Sequence, residues 1–282
     1  MKPAGITDKS LSLSTHHLRM KFSETDTILA TGTGFIYEYD NWYYLITNGH
    51  NITGVDPETK KRVSNHAGIP DVISTKCRIE PETNKDVLVV SELFAIDLYQ
   101  DRDFEKPLWF IHPTFGYHVD VVAIPVNQVS TLPSHIKLFP INKMLEDWQF
   151  YPEVGDDVFV LGYPLNLSGG KELPVWKRGS VATETYIDLD NLPKYLIDTA
   201  TRSGMSGSPV IFQRTGIHNY FTGTITGKEI IGTIKGFAGV YSGRIGVVDN
   251  FQAQLGIVWK REVIEEILAA KVVGTTEFQH YG

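Results

Sequence analysis

The sequence predicts an all-β protein in which two β-barrels are followed by one C-terminal helix. Runs of aromatic and β-branched residues alternate with turn residues along the chain, which is typical of a β-sandwich or barrel. Residues 34–39 and 42–47 are two such runs, and the Asp40-Asn41 pair between them predicts a tight hairpin. Helical patterns are scarce, and the best one covers residues 261–272.

Further strands are expected in both halves of the chain. They lie at residues 87–94, 119–124, 158–161, 179–185, 195–199, 209–212, 230–241 and 256–260. Residues 132–153 are rich in Pro and Trp, and we expect them to join the two β halves. Residues 52–70 and 97–118 are polar and broken in pattern, which predicts two long loops.

The predicted C-terminal helix is amphipathic. Val263, Ile264, Ile267 and Leu268 share one face, whereas the glutamates of this segment lie mostly on the other. Such an apolar stripe indicates packing against the barrels rather than a surface for a partner protein.

Composition excludes several classes of function. The 282 residues carry a net charge of −7, which argues against a nucleic-acid binder. No apolar stretch approaches the length of a membrane span, and residues 1–20 lack the apolar core of a signal peptide. Cys77 is the only cysteine, so neither an intrachain disulfide nor a thiolate metal cluster is possible. We therefore expect a cytoplasmic protein with no cofactor, no metal and no membrane partner, and non-classical export is the alternative to a cytoplasmic location.

A small-residue turn precedes an apolar strand in the second half. The sequence SGMSGSPV at residues 203–210 combines glycines, which permit unusual backbone angles, with serines. Such a turn can project Ser206 and direct two backbone N–H groups into one cavity. Taken alone, it is equally well read as an ordinary Gly/Ser turn. It is not the hydrolase elbow Gly-x-Ser-x-Gly, because Ser208 stands at the last position.

Two further polar residues occur at the ends of apolar strands. His50 follows the run that ends at Thr47, and Asp120 opens the apolar run of residues 121–126. A carboxylate at the edge of a buried strand needs a hydrogen-bonding partner, and an imidazole is one such partner. Taken alone, each of these residues is better explained by a structural role than by a catalytic one. The order His, Asp, Ser in a β-rich chain is, however, the order that chymotrypsin-type enzymes use.

Taken together, these motifs resemble those of the trypsin-like serine peptidases. The matching segments are GTGFI at residues 32–36, TNGH at 47–50, DVVAI at 120–124, GYP at 162–164, SGMSGSP at 203–209 and FAGVYSG at 237–243. They are most similar to the bacterial, disulfide-free branch that includes the HtrA-type enzymes. The resemblance covers about residues 20–271 and implies the chymotrypsin-like fold, with two antiparallel six-stranded β-barrels and a C-terminal α-helix.

The resemblance also implies domain boundaries. They are an N-terminal extension at residues 1–19, a peptidase domain at 20–271 and a C-terminal tail at 272–282. Within the domain, the first barrel would cover about 20–130, the second about 150–260 and the helix 261–271.

The same resemblance implies a function and a set of site residues. The protein would be a serine endopeptidase acting on proteins or peptides. Its catalytic residues would be His50, Asp120 and Ser206, and its oxyanion hole the N–H groups of Gly204 and Ser206. The substrate pocket would be formed by Ala200, Thr201, Ser242, Gly243 and Arg244. Ala200 stands where tryptic enzymes have Asp, so cleavage after Lys or Arg is not expected.

One departure from the family and two alternatives remain. Met205 stands where secreted relatives place an Asp that pairs with a newly cleaved N-terminus, so activation by such cleavage is not expected.

A catalytically silent, peptide-binding pseudopeptidase is the main alternative function. A metal-dependent hydrolase is disfavoured because His-Glu-x-x-His and other metal-ligand spacings are missing from the sequence.

Overall fold

The computed structural model shows a mostly β architecture. The described residues are 10–56, 59–62, 68–79, 91–126, 132–145, 150–218, 227, 229–244 and 254–280. Their strands form two antiparallel sheets, one built mainly from each half of the chain. The predicted all-β fold class is therefore confirmed.

The N-terminal sheet contains nine strands in the described residues. They are β1 (Thr15–Phe22), β2 (Thr27–Tyr39), β3 (Trp42–Thr47), β4 (Val72–Ile79), β5 (Ser91–Asp97), β6 (Phe110–Ile111), β7 (Val122–Pro125), β8 (Ile136–Lys137) and β15 (Val272–Val273). The order is β15-β6-β7-β3-β2-β1-β4-β5, and β8 pairs with β4. Six strands were expected here. The three additional ones have only two residues each, and they extend the sheet where loops or the C-terminal tail pass along it.

The C-terminal sheet is a closed barrel of six strands, as expected. They are β9 (Asp157–Gly162), β10 (Val175–Val181), β11 (Lys194–Asp198), β12 (Pro209–His218), β13 (Ile230–Arg244) and β14 (Leu255–Lys260). Closure follows the order β10-β11-β14-β13-β12-β9, so each described strand of the barrel has two hydrogen-bonded neighbours. A closed sheet has no exposed edge, which removes a route to aggregation.

The described helices are short. They are α1 (Gly49–Thr53), α2 (Ile141–Met144) and α3 (Glu262–Ala270), with 3₁₀ turns at Leu11–Ser14, Pro164–Asn166, Gly170–Glu172 and Glu277–His280. Helix α3 confirms the predicted C-terminal helix, and its four apolar residues are buried. At nine residues it is the longest helix in the described part of the chain, and no helix there could span a bilayer.

The predicted hairpin is confirmed as the β2–β3 connection. Tyr39 pairs with Trp42, which leaves Asp40 and Asn41 as a two-residue loop. Both loop residues have positive φ angles, of 51° and 61°. This is the conformation that a type I′ turn requires, and Asp and Asn tolerate it better than most residues.

One apolar cluster joins the two halves. It contains Phe35, Ile46 and Ala123 from the N-terminal sheet, Leu161, Ile211 and Val240 from the barrel, and Val263, Ile264, Ile267 and Leu268 from α3. Two further apolar clusters form the core of the N-terminal half and the core of the barrel. Helix α3 thus helps to hold the two halves together.

Several expected boundaries differ from the structure. Strand β1 begins at Thr15, inside the expected N-terminal extension, because it pairs with both β2 and β4. Part of the expected C-terminal tail also belongs to the fold, since β15 pairs with β6 and Phe278 is buried. Of the strand expected at 87–94, residues 87–90 lie outside the described residues.

Candidate active site

His50 and Asp120 are brought together by two neighbouring strands. Strand β3 ends at Thr47, and Thr47 pairs with Val122 at the start of β7. His50 lies in α1, just after β3, and Asp120 lies just before β7. Asn48 connects the two segments, because its side-chain amide donates a 2.6 Å hydrogen bond to the Asp120 carbonyl. The antiparallel pairing therefore places the imidazole beside the carboxylate, as the sequence predicted.

The Asp120 carboxylate is buried and receives three hydrogen bonds. His50 Nδ1 lies 2.7 Å from its Oδ2, and the backbone N–H of His50 donates to its Oδ1 at 2.9 Å. The hydroxyl of Ser242 donates to Oδ2 at 2.5 Å. A buried carboxylate needs such donors to remain charged. Because Nδ1–H donates to the carboxylate, the lone pair of Nε2 is free to accept a proton from elsewhere.

The carboxylate changes the acidity of the imidazole. Burial disfavours the protonated ring, but the charge of Asp120 and its hydrogen bond outweigh burial. The pKa of His50 therefore lies above its ordinary value of 6.5.

The nucleophile loop, which we define as residues 203–208, depends on two glycines. Gly204 and Gly207 have φ angles of +90° and +85°. A Cβ at Gly204 would lie 2.4 Å from the carbonyl oxygen of Tyr163, and one at Gly207 would lie 2.1 Å from that of Thr33. Both positions therefore require glycine for conformation and for space.

Hydrogen bonds tie this loop to the N-terminal half. The backbone N–H of Thr33 donates to the Ser206 carbonyl at 2.9 Å, and the Thr33 hydroxyl donates to the Gly204 carbonyl at 2.8 Å. Asn51 donates from Nδ2 to the same Ser206 carbonyl at 3.1 Å. Since Asn51 directly follows His50, these bonds place the Ser206 backbone next to the helix that carries the imidazole.

Two backbone N–H groups of the nucleophile loop have no protein acceptor among the described residues. The Ser203 carbonyl accepts a 2.7 Å hydrogen bond from the Leu165 N–H. The peptide bond that follows is trans, so the N–H of Gly204 points in the opposite direction. Among the residues that the structure describes, neither this N–H nor that of Ser206 donates to a protein acceptor. Two unpaired donors on one loop can stabilise an oxyanion.

The side chain of Met205 anchors the nucleophile loop in the core of the C-terminal barrel. Its side chain is fully buried in the apolar cluster inside the C-terminal barrel, together with Val160 and Tyr241. Gly207 donates to the Tyr241 carbonyl at 2.9 Å, and Tyr241 donates to the Ser208 carbonyl at 2.9 Å. Apolar burial and backbone pairing thus fix the loop at the position where secreted relatives use an ion pair.

The residues expected to form a substrate pocket differ in their contacts. Thr201 is buried, and its hydroxyl hydrogen bonds to that of Tyr241. The Ser242 hydroxyl donates its hydrogen bond to the Asp120 carboxylate. Gly243 has a φ of +133°, and Ala200 is partly buried. Arg244 ends β13, and its side chain lies outside the described part of the structure.

Comparison with protein families identifies the fold. A model described as a trypsin-like peptidase domain matches residues 32–216, which is more than half of the chain. The chain belongs to the trypsin-like peptidase family.

Comparisons with individual proteins add two similar structures. One is an inactive serine-to-alanine mutant of Rv3671c from M. tuberculosis H37Rv, at 17% identity and a TM-score of 0.43, covering 92% of this chain and 87% of that chain. The other is the Rv3671c protease in an inactive form, at 17% identity and a TM-score of 0.44, covering 92% and 89%. The search of curated proteins finds no match.

Some contacts of this trypsin-like peptidase were not predicted. Neither the bond from Asn51 to Ser206 nor the one from Leu165 to Ser203 has a local sequence signal, because each joins distant segments. Asn51 directly follows the matched segment at residues 47–50, and only this adjacency pointed toward it. One expected contact is also missing: within the described residues, no hydrogen bond joins the Ser206 hydroxyl to His50.

We expect Asn51→Ala to impair both stability and the reactivity of the nucleophile loop. The substitution removes hydrogen bonds to the Thr47 hydroxyl and the Ser206 carbonyl, each worth about 0.5–1.5 kcal/mol. Urea denaturation should show a loss of about 1–3 kcal/mol in the free energy of unfolding. Labelling by a fluorophosphonate, a reagent that modifies activated serines, should slow by about tenfold.

Asn142→Ala is the matched control. Asn142 also makes two hydrogen bonds, both to the backbone of Glu38 and remote from the site. It should lose comparable stability and keep the wild-type labelling rate. Equal labelling rates for the two variants would show that Asn51 does not position the loop.

Proposed function

We propose that the protein is a serine endopeptidase that cleaves proteins or peptides through an acyl-enzyme intermediate. The observation that carries this proposal is the pair of unpaired N–H groups on Gly204 and Ser206, in a loop tied to the helix of His50. A donor pair of this kind stabilises the charge that develops during acyl transfer.

The proposed reaction proceeds in two steps. Ser206 Oγ attacks the carbonyl carbon of the substrate while its proton moves to Nε2 of His50. The carbonyl oxygen becomes an oxyanion that accepts hydrogen bonds from the N–H groups of Gly204 and Ser206. As the C–N bond breaks, His50 gives its proton to the leaving amine. Water then attacks the ester by the same route and releases the acid and free Ser206.

Asp120 has two tasks in this scheme. Its hydrogen bond to Nδ1 keeps the proton of neutral His50 on that nitrogen, so Nε2 faces the nucleophile. Its negative charge then stabilises the imidazolium that forms during attack. Ser242 assists by donating to Asp120 and so keeping the carboxylate oriented.

The single cysteine is not a competing nucleophile. Cys77 is buried in the N-terminal sheet, and burial raises the pKa of its thiol to about 12. A thiol with such a pKa carries almost no thiolate at neutral pH.

A peptide-binding pseudopeptidase is the second candidate. One observation favours it, namely that no hydrogen bond joins the Ser206 hydroxyl to His50 in the described residues. Hydrogen bonds between nucleophile and base are often long before substrate binds, so this geometry is compatible with catalysis. Covalent labelling of the serine separates the two candidates.

We expect a fluorophosphonate to label the wild-type protein and not Ser206→Ala. The serine oxygen displaces fluoride from phosphorus only when a base removes its proton. Ser203→Ala, which alters an exposed serine of the same loop, is the control and should be labelled normally. Mass spectrometry should locate the adduct on Ser206. An unlabelled wild-type protein would support the pseudopeptidase instead.

The labelling rate should rise with pH through a single apparent pKa above 6.5. Only neutral His50 accepts the serine proton, and Asp120 raises the pKa of this imidazole. In Asp120→Asn the midpoint should fall below that of the wild type, because the charge is lost while burial persists. The rate at the plateau should fall by about 10⁴-fold, as in related triads. A rate that does not change between about pH 5 and 9 would exclude His50 as the base.

A further inference from the structure

A polar cleft lies on the outer face of the N-terminal sheet, next to a segment that contacts the nucleophile loop. Its volume is about 340 Å³, and it lies between strands β1, β2 and β4 and the segment of residues 163–172. It contains none of the triad residues and none of the expected substrate-pocket residues. Its walls nevertheless connect directly to the loop that carries Ser206.

The connection runs through residues 163–166. The imidazole of His17, from β1, stacks on the ring of Tyr163 at 4.8 Å and lies 3.3 Å from Oδ1 of Asn166. Between these two residues, Leu165 donates the hydrogen bond that orients the Ser203 carbonyl. One wall of the cleft is therefore also a support of the proposed oxyanion hole.

The nucleophile loop contacts both the strand of the expected substrate pocket and a strand that lines the cleft. It pairs with Tyr241 of β13, the strand that continues into the pocket residues. It is also bonded to Thr33 of β2, and Thr31 of the same strand lines the cleft. With the acyl part of a substrate in the pocket, the cleft is available to the leaving part.

The cleft is locally positive although the chain carries a net charge of −7. Arg19, Lys76 and Arg78 line it, against the single carboxylate of Glu172. Lys76 pairs with Glu172, and Arg78 donates to the carbonyls of Lys171 and Glu172 at 3.2 Å each. Two of the three cations are thus engaged in holding the turn at Gly170–Glu172.

The remaining cation has no protein partner among the described residues. Arg19 makes neither an ion pair nor a side-chain hydrogen bond there, and it is only partly exposed. Its neighbours directly across the sheet are Thr31 on β2 and Ser74 on β4. Residues opposite each other in antiparallel strands share a face, so all three point toward the cleft.

The Ser74 hydroxyl provides an independent observation. Ser74 is 4% exposed, and its Oγ has no hydrogen-bonding partner within the described residues. Leaving a buried hydroxyl unpaired is unfavourable, and such a group in a native structure points to a missing partner. An unpaired donor beside an unpaired guanidinium matches the two oxygens of a carboxylate.

We propose that this cleft binds an acidic side chain of the substrate, an Asp or Glu that lies shortly after the cleaved bond. The guanidinium of Arg19 binds the carboxylate, and the Ser74 hydroxyl donates a further hydrogen bond to it. This assignment rests on the proposed peptidase function, which defines the leaving side of the substrate.

The first experiment measures cleavage. A mixed peptide library is digested, and the new N-terminal sequences are read by mass spectrometry. Wild type should favour Asp and Glu among the first few residues after the bond, by about tenfold over Gln and Asn. Arg19→Gln should lose this preference while its fluorophosphonate labelling stays normal. Arg102→Gln removes the same charge at an exposed position elsewhere and should keep the preference.

The second experiment measures binding without turnover. Calorimetry with Ser206→Ala compares a peptide that contains Glu with the matched peptide that contains Gln. The Glu peptide should bind about tenfold more tightly, and adding Arg19→Gln or Ser74→Ala should reduce this advantage. Free succinate serves as a competitor. If succinate binds as tightly as the Glu peptide, the cleft is a site for a small anion and the proposal is wrong. Equal affinity for the Glu and Gln peptides would also overturn the proposal. Failure of the proposed peptidase function would be detected separately, because the fluorophosphonate would then not label the wild-type protein.

Discussion

The site depends on one set of hydrogen bonds, which attaches the nucleophile loop of the C-terminal barrel to strand β2 and helix α1 of the N-terminal half. Thr33 holds the carbonyls of Gly204 and Ser206, and Asn51 holds that of Ser206 again. His50 and Ser206 come from different sheets, so nothing local fixes their separation. An error of 1 Å in such a separation can reduce a rate about 10²-fold. The hydrogen bonds between the two halves restrict that separation, and the shared apolar cluster supports them.

A further hydrogen bond determines the direction of the Gly204 N–H. A peptide group can face either way in a glycine-containing loop, and the wrong orientation would point a carbonyl into the proposed oxyanion hole. Leu165 binds the Ser203 carbonyl and thereby selects the orientation that frees the Gly204 N–H. Met205 adds apolar burial beneath the loop without any charged partner.

Local patterns in the sequence predicted the local parts of the structure. Asp40 and Asn41 predicted the hairpin because few other residues accept positive φ, and the apolar stripe of α3 predicted its buried face. His50 and Asp120 were singled out because both stand at the ends of apolar strands, and the pairing of those strands brings them into contact. Ser206 was singled out by its glycines and by resemblance to a family.

Contacts between distant segments were not predictable. Strand β1 begins within the expected N-terminal extension because β2 and β4 offer it two partners, which its own sequence does not reveal. Ser242 was expected to form part of a substrate pocket, and the hydrogen bond from its hydroxyl to Asp120 was not predicted. The cleft at Arg19 likewise arises from three strands and a distant turn, so it had no sequence signal.

The most direct test of a preformed oxyanion hole is the crystal structure of the protein after phosphonylation of Ser206. The phosphoryl oxygen should accept hydrogen bonds from the N–H groups of Gly204 and Ser206, at about 2.7–3.1 Å. The Ser203 carbonyl should remain bonded to Leu165, as it is without the adduct. A phosphoryl oxygen directed into solvent, or a Ser203 carbonyl turned into the hole, would contradict this arrangement.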